Sequence, residues 1–593
     1  KEKDTGKTCL MKALLKPGGN TEDIVILLLH YAEENGGLAE LLNAVYTDEC
    51  YRGQSALHIA IEKGLERIAQ ILVDKGADVH QRATGLFFQL KKAKEDGFYF
   101  GEYPLSLAAC TNQPNLVRFL LEHKHNPCSP ERQDSLGNTV LHALAIVADD
   151  DKESMKFVPE MYDLILIKSE ERRMKVKQFS LVNLEKIHNK EGLTPLQLTA
   201  KEGKLQLFQR ILVREFPRED PMYHLSRRFV EWTYGPICSS LYDLDEVDTT
   251  DPHSALKIVV YNTNQEKYSE LLDVEPLKEL LKIKWETFAA AMFGICTTFY
   301  LIYIILFTVI TALQLHIDQE PGSEFGSSSN TWLTAGQIFI FIVAGCYLLK
   351  TGFDIISMWP IEYLSFFENN YFHVLFLLQT SLVMCSLFLY WDRVKEYVIM
   401  QALALVLGWF DLLYYSRGFK FTGIFTIIIQ RIIVRDISRF ICVYMVLILG
   451  FSTGKLTVAL FSLTNKCPSE SCPYESIGGA LWELYKLSFD IGDMTGFENS
   501  TYPALFRILL IIYMLFIYVL LLNLLIALMG YTINAISEKN EKIWRMQRAI
   551  TILDLERFLP KCCQHRCQKN KIYQCLDVGL NPGNKKDLRT CLW

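Results

Sequence analysis

The distribution of charge along the chain is the feature that most constrains its fold. Residues 285–349 contain no lysine or arginine in a stretch of 65 residues, and long apolar segments then recur to about residue 529. The residues before 284 and after 534 are rich in charge. Because a helix needs about 20 apolar residues to cross a bilayer, this pattern predicts a soluble half followed by a half that crosses a membrane several times.

Internal repeats organise the first half. A short pattern close to T-P-L-H-x-A recurs, usually just after a glycine, in segments that begin at Thr8, Ser55, Tyr103, Thr139, Thr194 and Ser254. The pattern is typical of ankyrin repeats, whose stacked helix pairs bury each other's apolar faces. His58 and His142 belong to it, and a capping hydrogen bond at the repeat turn is favoured there over a metal or catalytic role.

Apolar segments in the second half predict six membrane-spanning helices. We place them near residues 287–313, 332–352, 371–391, 397–416, 426–460 and 503–530. The fifth is longer than a bilayer requires, so we expect part of it to lie along the interface. Between the fifth and sixth, residues 477–489 form an amphipathic segment too short to span, which predicts a re-entrant helix lined by protein or water.

Basic residues indicate the orientation of these helices. The loop after the first span has no lysine or arginine and is placed outside, whereas the segment after the fourth carries Arg417 and Lys420 and is placed inside. Both termini are then cytosolic. The sequon at Asn499 falls outside, where glycosylation is expected. Cys467 and Cys472 fall on the same side, and the sequence is equally consistent with a disulfide between them and with two free thiols.

The composition and motifs argue against several other classes of function. A net charge of −6 gives no case for nucleic-acid binding. Lys7 follows a glycine but lacks the earlier glycine of a phosphate-binding loop, and no nucleophile–base set is found, so we expect no enzyme and no required cofactor. Cysteines crowd residues 562–567, where zinc, free thiols and palmitoylation stay open. The chain begins without methionine, and we expect a fragment of a longer protein.

Four further segments carry a family resemblance. HLSRRFVEWTYGPICSSLYDL (224–244), LGWFDLLYYSRGF (407–419), LLLNLLIALMG (520–530) and IWRMQRAITILD (543–554), together with the repeats, resemble the vanilloid subfamily of transient receptor potential channels, nearest its thermosensitive branch. The resemblance implies an all-α membrane protein with six transmembrane helices and a re-entrant pore helix. It also implies an N-terminal ankyrin-repeat α-solenoid and a small β element made by the linker and the C-terminal region.

The same resemblance implies a function and a division into domains. The expected function is a homotetrameric, calcium-permeable, nonselective cation channel of the plasma membrane, opened by heat, lipid or a small ligand. The expected parts are ankyrin repeats one to five (1–222), a sixth repeat and linker (223–284), a sensor-like bundle (285–417), the start of the linker to the fifth span (418–425), a pore domain (426–530), a TRP helix (531–556) and a tail (557–593).

An acidic segment is expected to select cations. By resemblance, Asp490, Ile491, Gly492 and Asp493 form the selectivity filter within residues 490–494, and a ring of four Asp493 carboxylates is the expected contact for permeant Ca²⁺ and Na⁺. Asp490 stands where the family has glycine. It either adds a second ring or turns back to bond the pore helix.

Asn523, Ile526 and Met529 have helical spacing on the sixth span and should lie on one helix face, where we expect a gate. Resemblance places Ile526 at the constriction, although core packing explains the spacing equally well. Trp544 and Arg548 match the family's TRP helix, which implies a mechanical coupling role rather than a chemical one.

Two ligand sites are implied by resemblance. A pocket for phosphoinositide, another lipid or a vanilloid ligand would include Tyr371, Phe372, Phe410, Arg417, Gln430, Arg431 and Arg435. Phe372, Phe410 and Gln430 depart from the vanilloid-sensitive pattern, so a weak or absent capsaicin response is expected. The second site lies in the first two repeats and consists of Lys7, Lys12, Tyr51, Gln54, Glu62 and Lys63. These residues form either a site for ATP or calmodulin, or an ordinary solvated surface.

Overall fold

The computed structural model divides into two compact units, residues 1–292 with 549–593 and residues 293–548. It describes residues 2, 4–90, 97–148, 154–176, 183–249, 251, 253–262, 268–318, 331–358, 371–392, 394–462, 477–488, 503–537, 540–558, 573–580 and 586–592.

Six short helices begin directly after the six predicted repeat starts. In every case the predicted start residue is the N-cap of the helix: Cys9–Leu15, Ala56–Glu62, Pro104–Cys110, Val140–Val147, Pro195–Glu202 and Ala255–Val260. Each of these inner helices packs against the next along the chain. The predicted ankyrin-repeat solenoid is therefore confirmed.

The first unit contains further helices. They are Thr21–Glu34, Leu38–Leu42, Glu66–Asp74, Pro114–Glu122, Ser154–Val176, Leu205–Leu212 and Leu277–Lys284. The glycines before the repeats turn the chain. Gly53 has a φ of 85°, and a Cβ there would lie 2.2 Å from the Arg82 carbonyl oxygen, so only glycine fits this position.

The two motif histidines join neighbouring repeats. The backbone N–H of Thr139 donates to Nδ1 of His142 at 3.2 Å, and Nε2 of His142 lies 3.0 Å from the carbonyl oxygen of Leu193 in the next repeat. His58 repeats this arrangement with Ser55 and with the Glu102 carbonyl oxygen. The capping interpretation is confirmed, and each imidazole also bonds to the following repeat.

A four-stranded sheet brings distant parts of the chain together. Strands β1 (Arg228–Tyr234), β2 (Ile237–Asp243), β3 (Tyr573–Leu580) and β4 (Lys586–Leu592) are arranged in the order β1-β2-β4-β3. Tyr242 of β2 pairs antiparallel with Leu592 of β4. The small β element predicted for the linker and the C-terminal region is thus one continuous sheet.

Buried ion pairs hold the linker to the fifth repeat. Glu185 lies 2.6 Å from the Arg214 guanidinium and accepts a hydrogen bond from the Tyr162 hydroxyl at 2.9 Å. Arg227, at the start of the linker sheet, lies 3.5 Å from Glu246 and 3.9 Å from Glu185. Although burial opposes its charge, the two guanidinium groups lower the pKa of Glu185 to about 2. Removing one partner of such a group leaves an uncompensated buried charge.

A second buried charge ties the chain after the membrane part to the linker. The Lys284 ammonium is fully buried and lies 2.7 Å from Asp248 and 2.9 Å from Glu556. Nearby, the Tyr261 hydroxyl donates to Asp554 at 2.9 Å. Two carboxylates around one ammonium compensate its desolvation, so this contact fixes the end of the helix Asn540–Phe558.

Among the described residues, five helical segments are long and apolar enough to cross a membrane. They are Leu277–His316, Trp332–Phe353, Phe372–Trp391, Tyr397–Gly418 and Arg507–Asn534. The individual membrane-half helices are Ala290–Asp318, Thr331–Met358, Tyr371–Trp391, Tyr397–Tyr415, Lys420–Arg431, Ser438–Ser462, Ile477–Ser488, Pro503–Met514 and Asn523–Ser537. These segments match five of the six predicted spans.

The predicted fifth span, 426–460, is divided in the structure. It covers the end of the helix Lys420–Arg431 (the linker helix), a π-helical turn at Ile432–Ile437 and the helix Ser438–Ser462 (the fifth-span helix). A continuous apolar pattern concealed the change of helix type, because periodicity does not record a single wider turn. The expected boundary at residue 425/426 therefore falls inside the linker helix.

The two buried histidines should make the stability of the ankyrin-repeat stack sensitive to acid. Burial lowers the pKa of His58 and His142 from 6.5 to about 4. The unfolded chain then binds more protons below pH 6.5, so stability falls between about pH 6.5 and pH 4, by roughly 1.4 kcal/mol per pH unit for each histidine. Replacing both with glutamine, which caps the fifth repeat as Gln197, should flatten this dependence in thermal unfolding followed by circular dichroism.

The exposed His30 provides the control for this measurement. A His30→Gln variant should keep the wild-type pH dependence. An equally steep loss of stability in the double variant would show that other groups cause the acid sensitivity.

Candidate functional site

Tyrosines of the final span hold the C-terminal end of the short helix Ile477–Ser488. The Tyr513 hydroxyl donates to the Leu484 carbonyl at 2.9 Å, and the Tyr518 hydroxyl donates to the Leu487 carbonyl at 3.2 Å. The Leu487 carbonyl belongs to the last helical turn, which lacks backbone donors within the helix, whereas the Leu484 carbonyl also accepts the Ser488 hydroxyl at 2.9 Å. The predicted re-entrant helix is thus anchored at Leu484 and Leu487, and it ends at Ser488, two residues before Asp490, where the segment predicted to select ions begins.

An apolar cluster surrounds these hydrogen bonds. Ile448 of the fifth-span helix packs with Leu484 of the short helix, and with Tyr513, Ile517 and Leu521 of the final span. The Tyr444 hydroxyl adds a hydrogen bond to the Ser488 hydroxyl at 3.1 Å. The fifth-span helix and the final span therefore both position the short helix.

The predicted gate residues follow a π-helical turn. Leu515–Leu522 forms this turn, and Asn523 begins the next α-helical segment. Within one chain Ile526 is 60% exposed, and the Asn523 side chain donates to the Val519 carbonyl at 2.9 Å. Met529 is half-buried. The three predicted gate residues thus belong to one helix, and Ile526 is available to a surface outside its own chain.

A tryptophan joins the linker helix to the helix Asn540–Phe558, which we name the C-terminal helix. The Trp544 indole N–H donates to the Arg417 carbonyl at 3.1 Å, and its ring packs with Ile427 and Ile543. At Gly423 a Cβ would lie 2.9 Å from the ring, so this close approach requires glycine. The contact unites apolar packing with one directional bond.

Charged groups surround this tryptophan. The Arg548 guanidinium lies 5.2 Å from the centroid of the Trp544 ring. Glu541 pairs with Lys420 of the linker helix at 2.8 Å and with Arg545 at 3.0 Å. Because Glu541 and Lys420 are about half exposed, water screens these pairs, and each contributes at most about 1 kcal/mol.

Arg417 also contacts other residues of the predicted ligand pocket. Its guanidinium lies 4.4 Å from the centroid of the buried Phe372 ring and 5.2 Å from that of Tyr414, and it donates to the Gln430 side chain at 3.2 Å. Phe372, Arg417 and Gln430 are therefore brought together. Phe410, on the same helix as Tyr414, is 52% exposed.

For three other residues of the predicted pocket, the structure describes the backbone only. Tyr371 begins the third span, Arg431 ends the linker helix, and Arg435 lies in the π-helical turn. The predicted filter at Asp490, Ile491, Gly492 and Asp493 lies outside the described residues, as do Asn499, Cys467 and Cys472 and the cysteines near 562–567.

The repeat residues proposed for ATP or calmodulin form two neighbouring groups. Gln54 donates to Glu62 at 3.0 Å, and Lys63 pairs with Glu62 at 3.0 Å. The Lys7 ammonium lies 5.5 Å from the Tyr46 ring, which packs beside the partly exposed Tyr51. The Lys12 side chain instead pairs with Glu2 at 3.7 Å.

The anchoring tyrosines were not found from the sequence. Tyr444, Tyr513 and Tyr518 resemble ordinary apolar-span residues, because a tyrosine fits a membrane helix as well as its interface. Asp411 was missed too. It is the single acidic residue inside the predicted span 397–416. An ionisable residue inside a membrane span is by default a candidate functional residue, so the sequence did carry a signal.

Comparisons with known proteins agree with this architecture. A family described as "Ankyrin repeats (3 copies)" matches residues 1–83, another described as "Ankyrin repeat" matches residues 100–134, and one described as "Ion transport protein" matches residues 294–541. The transient receptor potential cation channel subfamily V member 1 of Cavia porcellus is 40% identical over 604 residues, covering 100% of this chain and 71% of the relative.

Two other members are similarly close. Subfamily V member 4 of Rattus norvegicus is 39% identical over 607 residues, covering all of this chain and 68% of the relative. Subfamily V member 2 of Mus musculus is 39% identical over 611 residues and is covered over 78% of its length. The chain belongs to the vanilloid subfamily of transient receptor potential cation channels. Membership of this channel family confirms the expectation that the chain is not an enzyme.

The bond between Trp544 and Arg417 gives a testable prediction for this vanilloid-subfamily chain. Trp544→Phe retains an aromatic ring but removes the N–H donor, which should weaken the attachment of the linker helix by about 1 kcal/mol. Amides of Lys420–Arg431 should then exchange with deuterium about fivefold faster, as measured by mass spectrometry.

The exposed Trp409 offers a matched control, and Trp409→Phe should leave exchange in the linker helix unchanged. Unaltered exchange in Trp544→Phe would contradict a holding role for the indole N–H.

Proposed function

We propose that four copies of this chain form a calcium-permeable, nonselective cation channel. The observation that carries the proposal is the short helix Ile477–Ser488, held by Tyr513 and Tyr518 directly before an acidic segment. A helix that is too short to span must be lined by protein or water. Its anchored end would present residues 490–493 to a central axis.

Charge on this segment supports cation selection. In a tetramer, Asp493 supplies a ring of four carboxylates, and Asp490 supplies a second ring if it faces the pore. Two carboxylates about 5 Å apart repel by roughly 3 kcal/mol at an effective dielectric near 20, and a bound cation relieves this repulsion. A divalent ion relieves more of it, which favours permeation by Ca²⁺ alongside Na⁺.

The final span supports a gate of apolar side chains. Ile526 is exposed within its own chain and follows the π-helical turn. Four such side chains converging on an axis, with Asn523 and Met529 above and below, would close the pore by excluding water.

The coupling elements suggest how a stimulus reaches this gate. Arg417 contacts the ligand-pocket residues Phe372 and Gln430 through its side chain, and it contacts Trp544 through its carbonyl. Heat, a lipid such as a phosphoinositide, or a small ligand would act on the first four spans and pass through the linker helix and the C-terminal helix. Basic side chains at Arg431 and Arg435 suit anionic headgroups.

The remaining assignments concern location and modulation. We place the channel in the plasma membrane with both termini in the cytosol, and glycosylation at Asn499 on the outside. A disulfide between Cys467 and Cys472 would lie on that side. ATP or calmodulin would bind the first two repeats at Lys7, Lys12, Tyr51, Gln54, Glu62 and Lys63, and no other cofactor is required.

Whole-cell recordings test the proposal through Asp490. During a temperature ramp with exchange between Ca²⁺ and Na⁺ solutions, the wild type should carry current of both cations. Replacing Asp490 with asparagine removes a ring of charge, so the Ca²⁺/Na⁺ permeability ratio should fall severalfold. The reversal potential reports this ratio directly.

An acidic residue elsewhere in the chain serves as the control. Asp392→Asn changes the loop after the third span and should leave reversal potentials at wild-type values. Unchanged potentials in Asp490→Asn would show that this carboxylate turns away from the pore, whereas absence of any cation current in the wild type would refute the channel function.

A polar substitution at the gate gives a second prediction. Ile526→Ser should raise current in the absence of a stimulus, because a polar ring admits water at the constriction. The basal fraction of maximal current, measured in excised patches, should increase at least threefold. Leu524→Ser, two residues away and on another helix face, should not change it, and equal effects of both substitutions would argue for general destabilisation instead.

A further inference from the structure

A buried carboxylate lies within the first four spans. Asp411 belongs to the face of the helix Tyr397–Tyr415 that is buried in the bundle, and its side chain is 0% exposed. Among the described residues, neither of its carboxylate oxygens has a hydrogen-bond partner. An isolated charge in such a place is very costly, so a carboxylate there needs a compensating group.

Tyrosine hydroxyl groups of the first span approach the fourth span near this carboxylate. Tyr300 and Tyr303 are both buried, and Tyr300 reaches the fourth span at Gly408, three residues before Asp411. The Tyr300 hydroxyl donates its hydrogen to the Gly408 carbonyl at 2.9 Å, so its oxygen is left only to accept. It therefore cannot also donate to the carboxylate.

A buried amide adds another acceptor. Gln379 is 0% exposed and lies against Gly408, one helical turn before Asp411. Its nitrogen donates to the Tyr303 hydroxyl at 3.4 Å, while its oxygen has no partner among the described residues. The two Asp411 carboxylate oxygens and the Gln379 amide oxygen are thus buried in the same bundle without hydrogen-bond partners among the described residues.

Apolar side chains separate this group from the outer half of the bundle. Ile304 and Phe307 are buried on the first span, and Ala404 is buried on the fourth. Beyond them, Gln401 donates to Thr311 at 3.0 Å. The oxygens around Asp411 therefore form a local site rather than part of a continuous polar path.

The donor set indicates the class of ligand. Hard oxygen ligands favour alkali and alkaline-earth cations over transition metals. The described residues contain no cluster of three or more His, Cys, Asp or Glu side chains that would hold a multivalent ion. One carboxylate balances one positive charge, whereas a divalent ion would leave an excess charge in the bundle.

We propose that Asp411, Tyr300 and Gln379 bind a dehydrated monovalent cation, such as Na⁺, inside the first four-helix bundle. The cation neutralises Asp411 and accepts the lone pairs of the neutral oxygens. Since it binds only when the bundle is folded, it stabilises the packing of the first, third and fourth spans. The site is separate from the pore, and its occupancy does not depend on conduction.

Thermal unfolding of the full chain in lipid nanodiscs tests this site. At constant pH and ionic strength, replacing N-methyl-D-glucamine with 150 mM Na⁺ should raise the unfolding temperature of the wild type by about 3 °C. Asp411→Asn removes the charge at nearly constant volume and should abolish the Na⁺-dependent rise. Persistence of the full rise in this variant would overturn the proposal.

Two further variants keep the test decisive. Tyr300→Phe retains the ring and the carboxylate but removes one oxygen, and it should reduce the rise even if Asp411→Asn does not fold. Asp493→Asn controls for cations that bind the pore, and it should retain the rise. An unfolding temperature of the wild type that varies with pH but not with Na⁺ would show that a proton neutralises Asp411, which also overturns the proposal.

Discussion

The hydrocarbon core offers no water, and this constraint explains most of the polar contacts in the membrane half. Hydroxyl groups there bond to carbonyl oxygens of neighbouring helices, as Tyr300 does with Gly408 and Tyr513 with Leu484. Such bonds are directional, so they set the position of a helix as well as its depth. The short helix before the acidic segment is held in this way, and its placement depends on side chains of its neighbours more than on its own sequence.

Arg417 contacts both the predicted ligand-pocket residues and the C-terminal helix. Its side chain covers Phe372 and bonds to Gln430, while its carbonyl receives the indole N–H of Trp544. A ligand that displaced the guanidinium would therefore act on a residue whose backbone already supports the C-terminal helix. The surrounding ion pairs are exposed and contribute little, so the buried aromatic contact carries the attachment.

Local chemistry explains which parts of the fold could be predicted. The six repeat starts were correct to the residue because the repeat motif includes the N-cap position, and at Thr8, Ser55 and Thr194 the cap side chain accepts a hydrogen bond from the first turn of its own helix. The pairing of Tyr242 with Leu592 left no local pattern, since it joins residues far apart in sequence. The π-helical turn at Ile432–Ile437 and the tyrosine anchors were hidden in uniformly apolar segments, whereas Asp411 stood out from such a segment and was overlooked.

The four-stranded sheet has a consequence for biosynthesis. Strand β2 is translated about 350 residues before β4, the strand that pairs with it. At a ribosomal rate of roughly 5–20 residues per second, the edge of β2 waits for tens of seconds while the membrane helices are inserted. An unpaired edge is a template for aggregation. The nascent chain must therefore be shielded by a chaperone, or by the repeats already folded, until the matching strand emerges.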